Sequence, residues 1–346
     1  MNRWPPGHLF FIRNSFPTGF IHIPAPDPDS LMFPYKIRPV CPEEDAADIA
    51  LLVKESFRPW LDRENMDYLS QLHREGVSAL QHPFLSSLIS FPYRLDGVVC
   101  RNGSGALLGL INTYFFHLNG RRRCLIANVC VREAYRREGI ASRMLEAVEK
   151  ELTSEGVRDI FLQARLSAPE TVAFYRRRGF CVTDYRETWV SPAGALRGDE
   201  GLPYRLERVP ASDLPLFHRL MADRYPQTVL WNLNYKPGLF QTGLVSELIN
   251  FLESPGNRFR RAVTADGRTA AWAAWQKLSG FADALWFVPA ADLPEQEYAG
   301  LLTFLRNVHG GKRALKIDLP AGRSGAEMQS APFRYYQTLA WMWKKL

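Results

Sequence analysis

The sequence predicts an α/β protein, of the α+β arrangement, with two domains that each contain a mixed, mostly antiparallel sheet flanked by helices. Three observations support this prediction. The chain has 346 residues, which exceeds the usual size of a single domain. Short strand-like runs alternate with amphipathic helical segments. After a segment rich in proline, glycine and charge at 191–203, which is interpreted as a linker, the order of strand, turn and helix begins again.

The first domain is predicted to span 35–190, after an irregular arm at 1–34 that is rich in proline and phenylalanine. It opens with a strand and an amphipathic helix, and antiparallel strands follow around a Gly-Ser-Gly turn. A glycine-ended helix, a strand, a second glycine-ended helix and a strand complete it. The segments behind these predictions are YKIRPV, EEDAADIALLVKESF, VVCRNGSGALLGLINTYFF, RRRCLIANVCV, GIASRMLEAVEKELTS, DIFLQAR, PETVAFYRRR and FCVTDYRETWV.

The second domain is predicted to span 204–346 and to repeat this architecture. The segment RLERVPASDLPLFHRLMADRY matches the earlier strand, turn and helix, and Asp266-Gly267 marks a hairpin turn. A strand, a glycine-ended helix and another strand follow in ADALWFV, EYAGLLTFLRNVHGG and ALKIDLP. An internal duplication is therefore predicted.

Composition excludes several classes of protein. No run approaches the roughly 18 apolar residues that a membrane span needs. The five cysteines are odd in number and scattered, which favours reduced thiols in the cytoplasm over a disulfide framework. No His or Cys spacing suggests a metal site, so no metal is expected. The net charge of +7 would suit nucleic acid, but the arginines are spread along the chain, and a field that attracts an anionic cofactor explains the charge equally well.

One loop of the first domain has the features of an anion site. The segment VREAYRREGIASRM connects the strand CLIANVCV to a helix whose first backbone N–H groups have no partners within the helix. These N–H groups and the helix dipole attract anions. Gly139 and Ala141 keep the approach free of large side chains, and Arg136, Arg137 and Arg143 add positive charge at the rim. The loop is therefore predicted to bind a pyrophosphate.

Two motifs of the first domain resemble those of a known family. Residues 129–141 carry the pattern V-x-V-x-x-x-x-R-x-x-G-x-A, which resembles the acyl-CoA signature of the GNAT superfamily of N-acyltransferases. Further along, ETVAFYRRRGF resembles the second motif of that superfamily, a helix with a tyrosine, then Gly-Phe leading into a strand. The resemblance covers 35–190.

The resemblance implies a splayed sheet, in which the fourth strand parts from the fifth and the pantetheine arm of acetyl-CoA lies in the gap. The arm would bind the backbone of the fourth strand, where the N–H of Val131 would polarise the thioester carbonyl. The pyrophosphate would take the N–H groups of residues 137–142, and Tyr175 would protonate the departing thiolate. The residues assigned to the coenzyme are Val129, Cys130, Val131, Arg136, Arg137, Glu138, Gly139, Ile140, Ala141 and Ser142.

The chain departs from the family pattern in two respects that bear on chemistry. Ala168 replaces an asparagine often found seven residues before the tyrosine, so one cofactor contact is expected to be missing. The fourth strand carries no carboxylate between Cys124 and Val131, a common place for the general base, and leaves Asn128 there as a second catalytic candidate. The base is unassigned, with the candidates Glu55, Asp62, Glu64 or a water held by Asn128.

In the second domain the segment WFVPAADLPEQEYAGLL stands where the coenzyme loop should be. It contains Pro294 and the acidic residues Asp292, Glu295 and Glu297, and it lacks the R-x-x-G-x-A pattern. Negative charge would repel a pyrophosphate. We interpret 204–346 as a degenerate GNAT-like copy that binds the coenzyme poorly and walls the acceptor cleft instead.

These inferences predict a cytoplasmic N-acetyltransferase that moves an acetyl group from acetyl-CoA to a primary amine by direct attack. The acceptor, a small-molecule or peptide amine, is not decoded by the sequence, and a homodimer is left open. Two other classes remain. A non-catalytic acyl-CoA-binding or scaffold protein is favoured by the missing base and asparagine, whereas nucleic-acid binding rests on the basic pI alone.

Overall fold

The structure, a computed structural model, describes residues 33–58, 63–81, 95–118, 120–194, 203–230, 233, 235–253, 256–278, 282–322, 328 and 331–346. Almost all of the predicted N-terminal arm, 1–32, lies outside the described residues, as do 195–202 of the predicted linker. Among the helices of the described ranges, none is both long enough and apolar enough to cross a membrane.

The chain forms two compact units. Unit 1 comprises residues 1–162 and 343–346, and unit 2 comprises residues 163–342. These boundaries differ from the predicted domain ranges of 35–190 and 204–346, and the strand pairing described below gives the reason.

Unit 1 is built on an antiparallel meander. Its strands follow the order β1-β2-β3-β4-β5, with antiparallel pairing from β1 to β4 and parallel pairing between β4 and β5. A parallel pair requires a crossover connection, which the helix α3 supplies. The elements are β1 Lys36–Pro39, α1 Pro42–Phe57, α2 Arg63–Gln81, β2 Gly97–Arg101, β3 Leu107–Leu118, β4 Arg121–Val131, α3 Ile140–Ser154 and the greater part of β5 Asp159–Arg165.

The strands of unit 2 follow the order β12-β6-β11-β10-β9-β8-β7. The pairs from β7 to β10 are antiparallel, β10 and β11 are parallel, and β11 and β6 are antiparallel. The elements are α4 Pro169–Arg177, β6 Cys181–Ser191, β7 Tyr204–Glu207, α5 Leu214–Arg224, α6 Gln227–Leu230, α7 Leu244–Glu253, β8 Arg258–Thr264, β9 Thr269–Gln276, β10 Ala282–Pro289, α8 Tyr298–Val308, β11 Ala314–Pro320 and most of β12 Arg334–Lys345. The predicted fold class, mixed and mostly antiparallel sheets flanked by helices, is confirmed.

The position of β6 explains why the units do not coincide with the predicted domains. Its residues 186–191 pair with residues 315–320 of β11, and the Thr183 hydroxyl donates a hydrogen bond to the Trp341 carbonyl at 3.1 Å. A strand satisfies its backbone groups with its sheet neighbours. The strand β6, which ends the predicted first domain, therefore belongs with strands from the C-terminal part of the chain.

The helix α1 packs as its apolar periodicity predicts. Its residues Ala46, Ile49, Leu52 and Val53 are buried and form one cluster with strand residues of the same unit. Asp45 on this helix is also fully buried. A buried carboxylate needs compensating charge, and Asp45 finds it in two arginines.

Those two arginines come from neighbouring strands. Asp45 receives a hydrogen bond from Arg38 on β1 at 2.6 Å and another from Arg101 on β2 at 2.7 Å. The backbone N–H of Cys41 also donates a hydrogen bond to this carboxylate, at 2.8 Å. This cluster ties the start of α1 to the first two strands of unit 1.

Candidate functional site

The strand β4 contains a β-bulge at the predicted catalytic position. Leu110 of β3 pairs with Cys130, whereas Asn112 pairs with Ala127, so one residue of β3 faces two residues of β4. Asn128 occupies the bulge with a φ of 51°, in the left-handed region that asparagine tolerates better than most residues. The bulge was not predicted from the sequence.

The pairing register determines the direction of the backbone groups at the end of β4. The N–H of Arg132 donates to the Leu108 carbonyl at 2.8 Å, which makes this pair and the Leu110–Cys130 pair the hydrogen-bonded ones. The intervening residue Val131 therefore directs its N–H away from β3, and its carbonyl accepts a hydrogen bond from Arg136 Nε at 3.2 Å. This geometry is the one that the assigned carbonyl-polarising role of Val131 requires.

The parallel pairing of β4 with β5 is short. Cys124 pairs with Ile160 and Leu125 with Phe161, and the rest of β4, through Val131, has no β5 partner among the described residues. The edge of β4 that carries Val129 and Val131 thus leaves backbone groups available to a ligand.

The loop after β4 presents further backbone donors. A single turn of 3-10 helix at Glu133–Tyr135 leads to Gly139, the N-cap of α3, which has a φ of 82°. The Gly139 cap makes no side-chain capping bond, and beyond its chain neighbours and the backbone of its own helix no heavy atom of the described residues lies within 4 Å of the position that a Cβ would take there. The N–H groups of Ile140, Ala141 and Ser142 therefore meet an open approach at the helix N-terminus.

The charges around this loop favour an anion. Arg136, Arg137 and Arg143 are exposed, and the Arg137 backbone is also left-handed, with a φ of 70°. The acidic residue next to Gly139, Glu138, accepts a hydrogen bond from the Tyr35 hydroxyl, and this carboxylate raises the pKa of Tyr35 to about 12. Tyr35 thereby engages the acidic side chain that would oppose a phosphate.

These features suit a bound phosphate group. The loop combines N-terminal helix donors, an uncovered glycine and three arginines, which is the arrangement that phosphate groups require. Ile140, assigned to the coenzyme through its N–H, is buried by its side chain, so its backbone is held by packing. Cys130 is buried too, and burial raises the pKa of its thiol to about 12, which makes the thiol a poor nucleophile.

Asn128 has a side-chain partner that the sequence did not reveal. Its Nδ2 donates to Asn112 Oδ1 at 3.1 Å, and Asn112 Nδ2 donates to the Asp96 carbonyl at 3.2 Å. Asn128 Oδ1 is buried, with no hydrogen-bond partner among the described residues. An asparagine within the apolar run LGLINTYFF was the available signal, because buried polar side chains are uncommon in strands.

The candidate general bases differ in what the structure describes of them. Glu55 on α1 has a side chain that is 53% exposed, with one carboxylate oxygen 3.3 Å from Arg132 Nη1. Such an exposed, paired carboxylate has the features of a solvated helix-face charge. Asp62 and the side chain of Glu64 lie outside the described residues.

Tyr175 belongs to unit 2, whereas Asn128 and the loop belong to unit 1. It is buried on α4, and its ring makes edge contacts with Phe174 and Phe180 at centroid distances of 5.2 and 5.6 Å. The N-cap of α4 is Ala168, which provides no side-chain cap. The residue that replaces the family asparagine therefore also leaves this helix start without a capping bond.

The described residues contain no group of three or more His, Cys, Asp or Glu side chains that could hold a metal ion.

Comparisons with known proteins agree with the motif assignment. Residues 51–180 match the model of the Acetyltransferase (GNAT) family, which supports a GNAT acetyltransferase domain in this part of the chain. Members of this family are acyltransferases that act on amines. No curated protein matches the sequence.

Solved structures resemble the chain in fold. A GCN5-related N-acetyltransferase from Sphaerobacter thermophilus has a TM-score of 0.53 and 14% identity, with coverage of 91% of this chain and 96% of that one. A GCN5-related glucosamine N-acetyltransferase region of a fungal multi-domain GH3 beta-N-acetylglucosaminidase has a TM-score of 0.52 and 10% identity, with coverage of 89% and 38%. At these identities the likeness shows the fold alone.

Proposed function

We propose that this protein transfers the acetyl group of acetyl-CoA to a primary amine. The observation that carries the proposal is the loop between β4 and α3, where free N–H groups, an uncovered Gly139 and three arginines stand within the segment that matches the acetyltransferase family. The pyrophosphate would bind this loop through residues 137–142, with Arg136 at the rim. The pantetheine arm would follow the edge of β4 at residues 129–131.

The chemical step is a direct attack within the assembled complex. The nitrogen of the neutral amine attacks the thioester carbonyl carbon, a C–N bond forms, and the C–S bond breaks. Charge that develops on the carbonyl oxygen would be stabilised by the N–H of Val131. The nitrogen loses one proton and the thiolate gains one, so the products are an amide and a free thiol.

Two residues are proposed for the protons. Tyr175 would donate its hydroxyl proton to the thiolate, and the resemblance of ETVAFYRRRGF to the second family motif supports this role. Asn128 would act on the amine side by holding a bound water that accepts the amine proton. General acids and bases of this kind contribute roughly 10²-fold to 10⁴-fold each.

We further propose that the second half of the chain binds no coenzyme. The turn after β10 carries exposed Asp292, and Glu297 forms the N-cap of α8, where its carboxylate accepts a hydrogen bond from Tyr204 at 3.3 Å. An acidic residue at that helix start competes with a phosphate for the same N–H groups. The tandem arrangement and the cytoplasmic location are part of this proposal.

Calorimetry and thiol release test the proposal in sequence. Titration with acetyl-CoA should give one site per chain, and thiol release should then follow with at least one of ethanolamine, spermidine, glucosamine and an alanine-starting tetrapeptide. Two equivalent sites would contradict the degenerate second copy.

The same two measurements, together with a thermal shift experiment, distinguish between the competing functions. Binding of acetyl-CoA without turnover of any amine would support the non-catalytic acyl-CoA-binding or scaffold protein, which the missing carboxylate on β4 favours. Thermal stabilisation by a DNA oligonucleotide alone, with none by acetyl-CoA, would support nucleic-acid binding and overturn the proposal.

A further inference from the structure

Two buried asparagines of unit 1 form a chain of hydrogen bonds with one defined direction. The Asp96 carbonyl already accepts the N–H of Thr113 at 3.0 Å, so the backbone holds it in place. A carbonyl oxygen only accepts hydrogen bonds. Asn112 must therefore turn its NH₂ group toward Asp96, at 3.2 Å, and its oxygen toward Asn128.

That orientation determines the orientation of the next amide. Asn112 Oδ1 is an acceptor, so Asn128 must direct its NH₂ group at it, across 3.1 Å. Asn128 Oδ1 is left as an acceptor atom that is buried and has no partner in the described part of the chain. Both side chains are almost fully buried, at 1% exposure for Asn112 and 5% for Asn128, so water does not compete for these bonds.

The face of the sheet on which the pair lies can be read from strand alternation. Thr113 lines a small cavity with Val148 and Glu151 of α3, and Asn112 and Tyr114 therefore point to the opposite face. Leu110, two residues before Asn112, packs with α1 on that face. The hydroxyl of Tyr114 is a second buried polar atom there without a hydrogen-bond partner among the described residues.

Native proteins rarely leave two buried polar atoms unpaired on one face. A ligand with hydrogen-bond donors would satisfy the Asn128 oxygen. The acetyl thioester offers only acceptors, so the donors of the proposed complex are the N–H groups of the amine and the two amide N–H groups of the pantetheine arm, and the acetyl-CoA Kd measured below separates these two. The bulge that holds Asn128 adjoins the backbone edge at Val129 and Val131, where the acetyl group would be bound.

We propose that Asn112 is a positioning residue that holds the Asn128 amide so that its oxygen accepts a hydrogen from the attacking amine. This inference rests on the proposed acetyl transfer and assigns a recognition element to its acceptor side. Without Asn112 the Asn128 amide can rotate by half a turn and present its NH₂ group, a donor that an amine hydrogen cannot bond.

The orientation itself is measured without any activity. In protein with 15N-labelled asparagine, the Asn128 side-chain signal is identified by its loss in Asn128→Asp. Hydrogen exchange of this NH₂ group should be slow in the parent and at least tenfold faster in Asn112→Ala. Thr113→Val, a change at the neighbouring position on the opposite face, should leave it slow. Exchange that is unchanged in Asn112→Ala would overturn the orienting role.

The amine role is measured by thiol release with the four named amines. We expect Asn112→Ala to lower kcat/KM for the amine about tenfold, with the acetyl-CoA Kd within twofold of the parent. In the Asn128→Ala background, Asn112→Ala should have no further effect, because it acts through that amide. Effects that add in the double variant, or a raised acetyl-CoA Kd, would overturn the assignment in favour of general packing or of a coenzyme contact.

A conservative variant covers the case in which Asn112→Ala fails to fold. Asn112→Asp, with its buried carboxyl group protonated, keeps an oxygen that accepts from Asn128 Nδ2 and a hydroxyl that donates to the Asp96 carbonyl, so kcat/KM for the amine should stay within about threefold of the parent. A loss as large as that of Asn128→Ala would overturn the inference. If the parent acetylates none of the amines, the proposed function fails together with the amine role, while the exchange measurement still decides whether Asn112 orients Asn128.

Discussion

The backbone N–H of Arg143 donates a hydrogen bond to the Gly139 carbonyl at 3.0 Å, and this bond joins α3 to its N-cap. Because helical hydrogen bonds join residues four apart, the N–H groups of Ile140, Ala141 and Ser142 have no acceptor within the helix. Gly139, with its left-handed backbone, leaves the approach to these donors open. The first prediction tests this relationship.

Gly139→Glu should abolish acetyl-CoA binding while the fold is retained, because bulk and negative charge would stand where phosphate meets backbone. Gly105→Glu is the matched control. Gly105 has a φ of 84°, close to the 82° of Gly139, and the same open space, so the substitution adds equal backbone strain and equal charge in the hairpin turn between β2 and β3. Calorimetry should show normal affinity for the control, and normal affinity for both variants would remove the pyrophosphate assignment.

The left-handed backbone of Arg137 predicts that a substitution by glycine makes the protein more stable, although the substitution removes a positive charge. A left-handed conformation costs a non-glycine residue about 1 kcal/mol or more, and the φ of Arg137 is 70°. Arg137→Gly should therefore raise the free energy of unfolding by about 1 kcal/mol, whereas Arg136→Gly, at a φ of −71°, should lower it. Urea denaturation measures the free energy of unfolding of both variants. Equal changes in the two variants would show that the backbone of Arg137 is not strained.

Either arginine substitution should also weaken acetyl-CoA binding, by less than Gly139→Glu does. The deficit should shrink in high salt, because exposed charges are screened over a Debye length of about 10 Å at 0.1 M. Calorimetry at two salt concentrations provides the measurement, and a deficit that does not depend on salt would show that the arginines act through shape.

Asp45→Asn should destabilise the protein by about 3 kcal/mol, because it leaves Arg38 and Arg101 without their buried counter-charge. Asp48→Asn is the control, since Asp48 also lies 2.8 Å from Arg101 but has a side chain that is 43% exposed. Exposed pairs contribute at most about 1 kcal/mol. Similar losses in the two variants, measured by urea denaturation, would contradict the importance of burial.

Glu151 predicts a pH dependence of stability. Burial, together with the nearby Glu155 carboxylate, raises the pKa of Glu151 from 4.5 to about 7. Between these two values the folded protein holds a proton that the unfolded chain has released. The stabilisation is therefore complete below about pH 4.5 and is lost as the pH rises through about 7.

The expected loss is about 1–2 kcal/mol between pH 5 and pH 7.5, with allowance for solvent screening. Glu151→Gln should flatten this part of the stability curve, whereas Glu146→Gln, on the exposed side of the same helix, should leave the slope unchanged. Urea denaturation at several pH values in this range measures the free energy of unfolding. If this free energy depends on pH as steeply in Glu151→Gln as in the parent, the pKa of Glu151 is not raised.

Tyr175→Phe should lower kcat by about 10²-fold or less, since a thiol is a fairly good leaving group. The acetyl-CoA Kd should stay the same, because the ring contacts with Phe174 and Phe180 survive. Tyr185→Phe, which removes a hydroxyl that accepts a hydrogen bond from Arg176, is the control and should leave kcat unchanged. Steady-state thiol release is the assay, and a Tyr175→Phe variant as fast as the parent would make Tyr175 a packing residue.

Much of the local structure could be predicted from the sequence. The period of Ala46, Ile49 and Val53 identified the buried face of α1, and Gly139 marked the start of α3 within one residue. Turn and cap chemistry depends on a few adjacent residues, which is why single glycines and apolar periods suffice for such predictions. The motif of the loop that we propose for the coenzyme could be identified for the same reason, because its backbone donors lie in one continuous stretch.

The sequence by itself determined the buried face of α1, the start of α3 and the family resemblance of the first part of the chain, and it indicated the loop that we propose as an anion site. Only the tertiary structure decided that Asn112 contacts Asn128 and that β6 pairs with β11. Both depend on strand register, and a shift of one residue moves every side chain of a strand to the other face. Register is selected by the packing of segments distant in the chain, so the orientation of the Asn128 amide, which depends on one bulge and one buried neighbour, could not be read from local pattern.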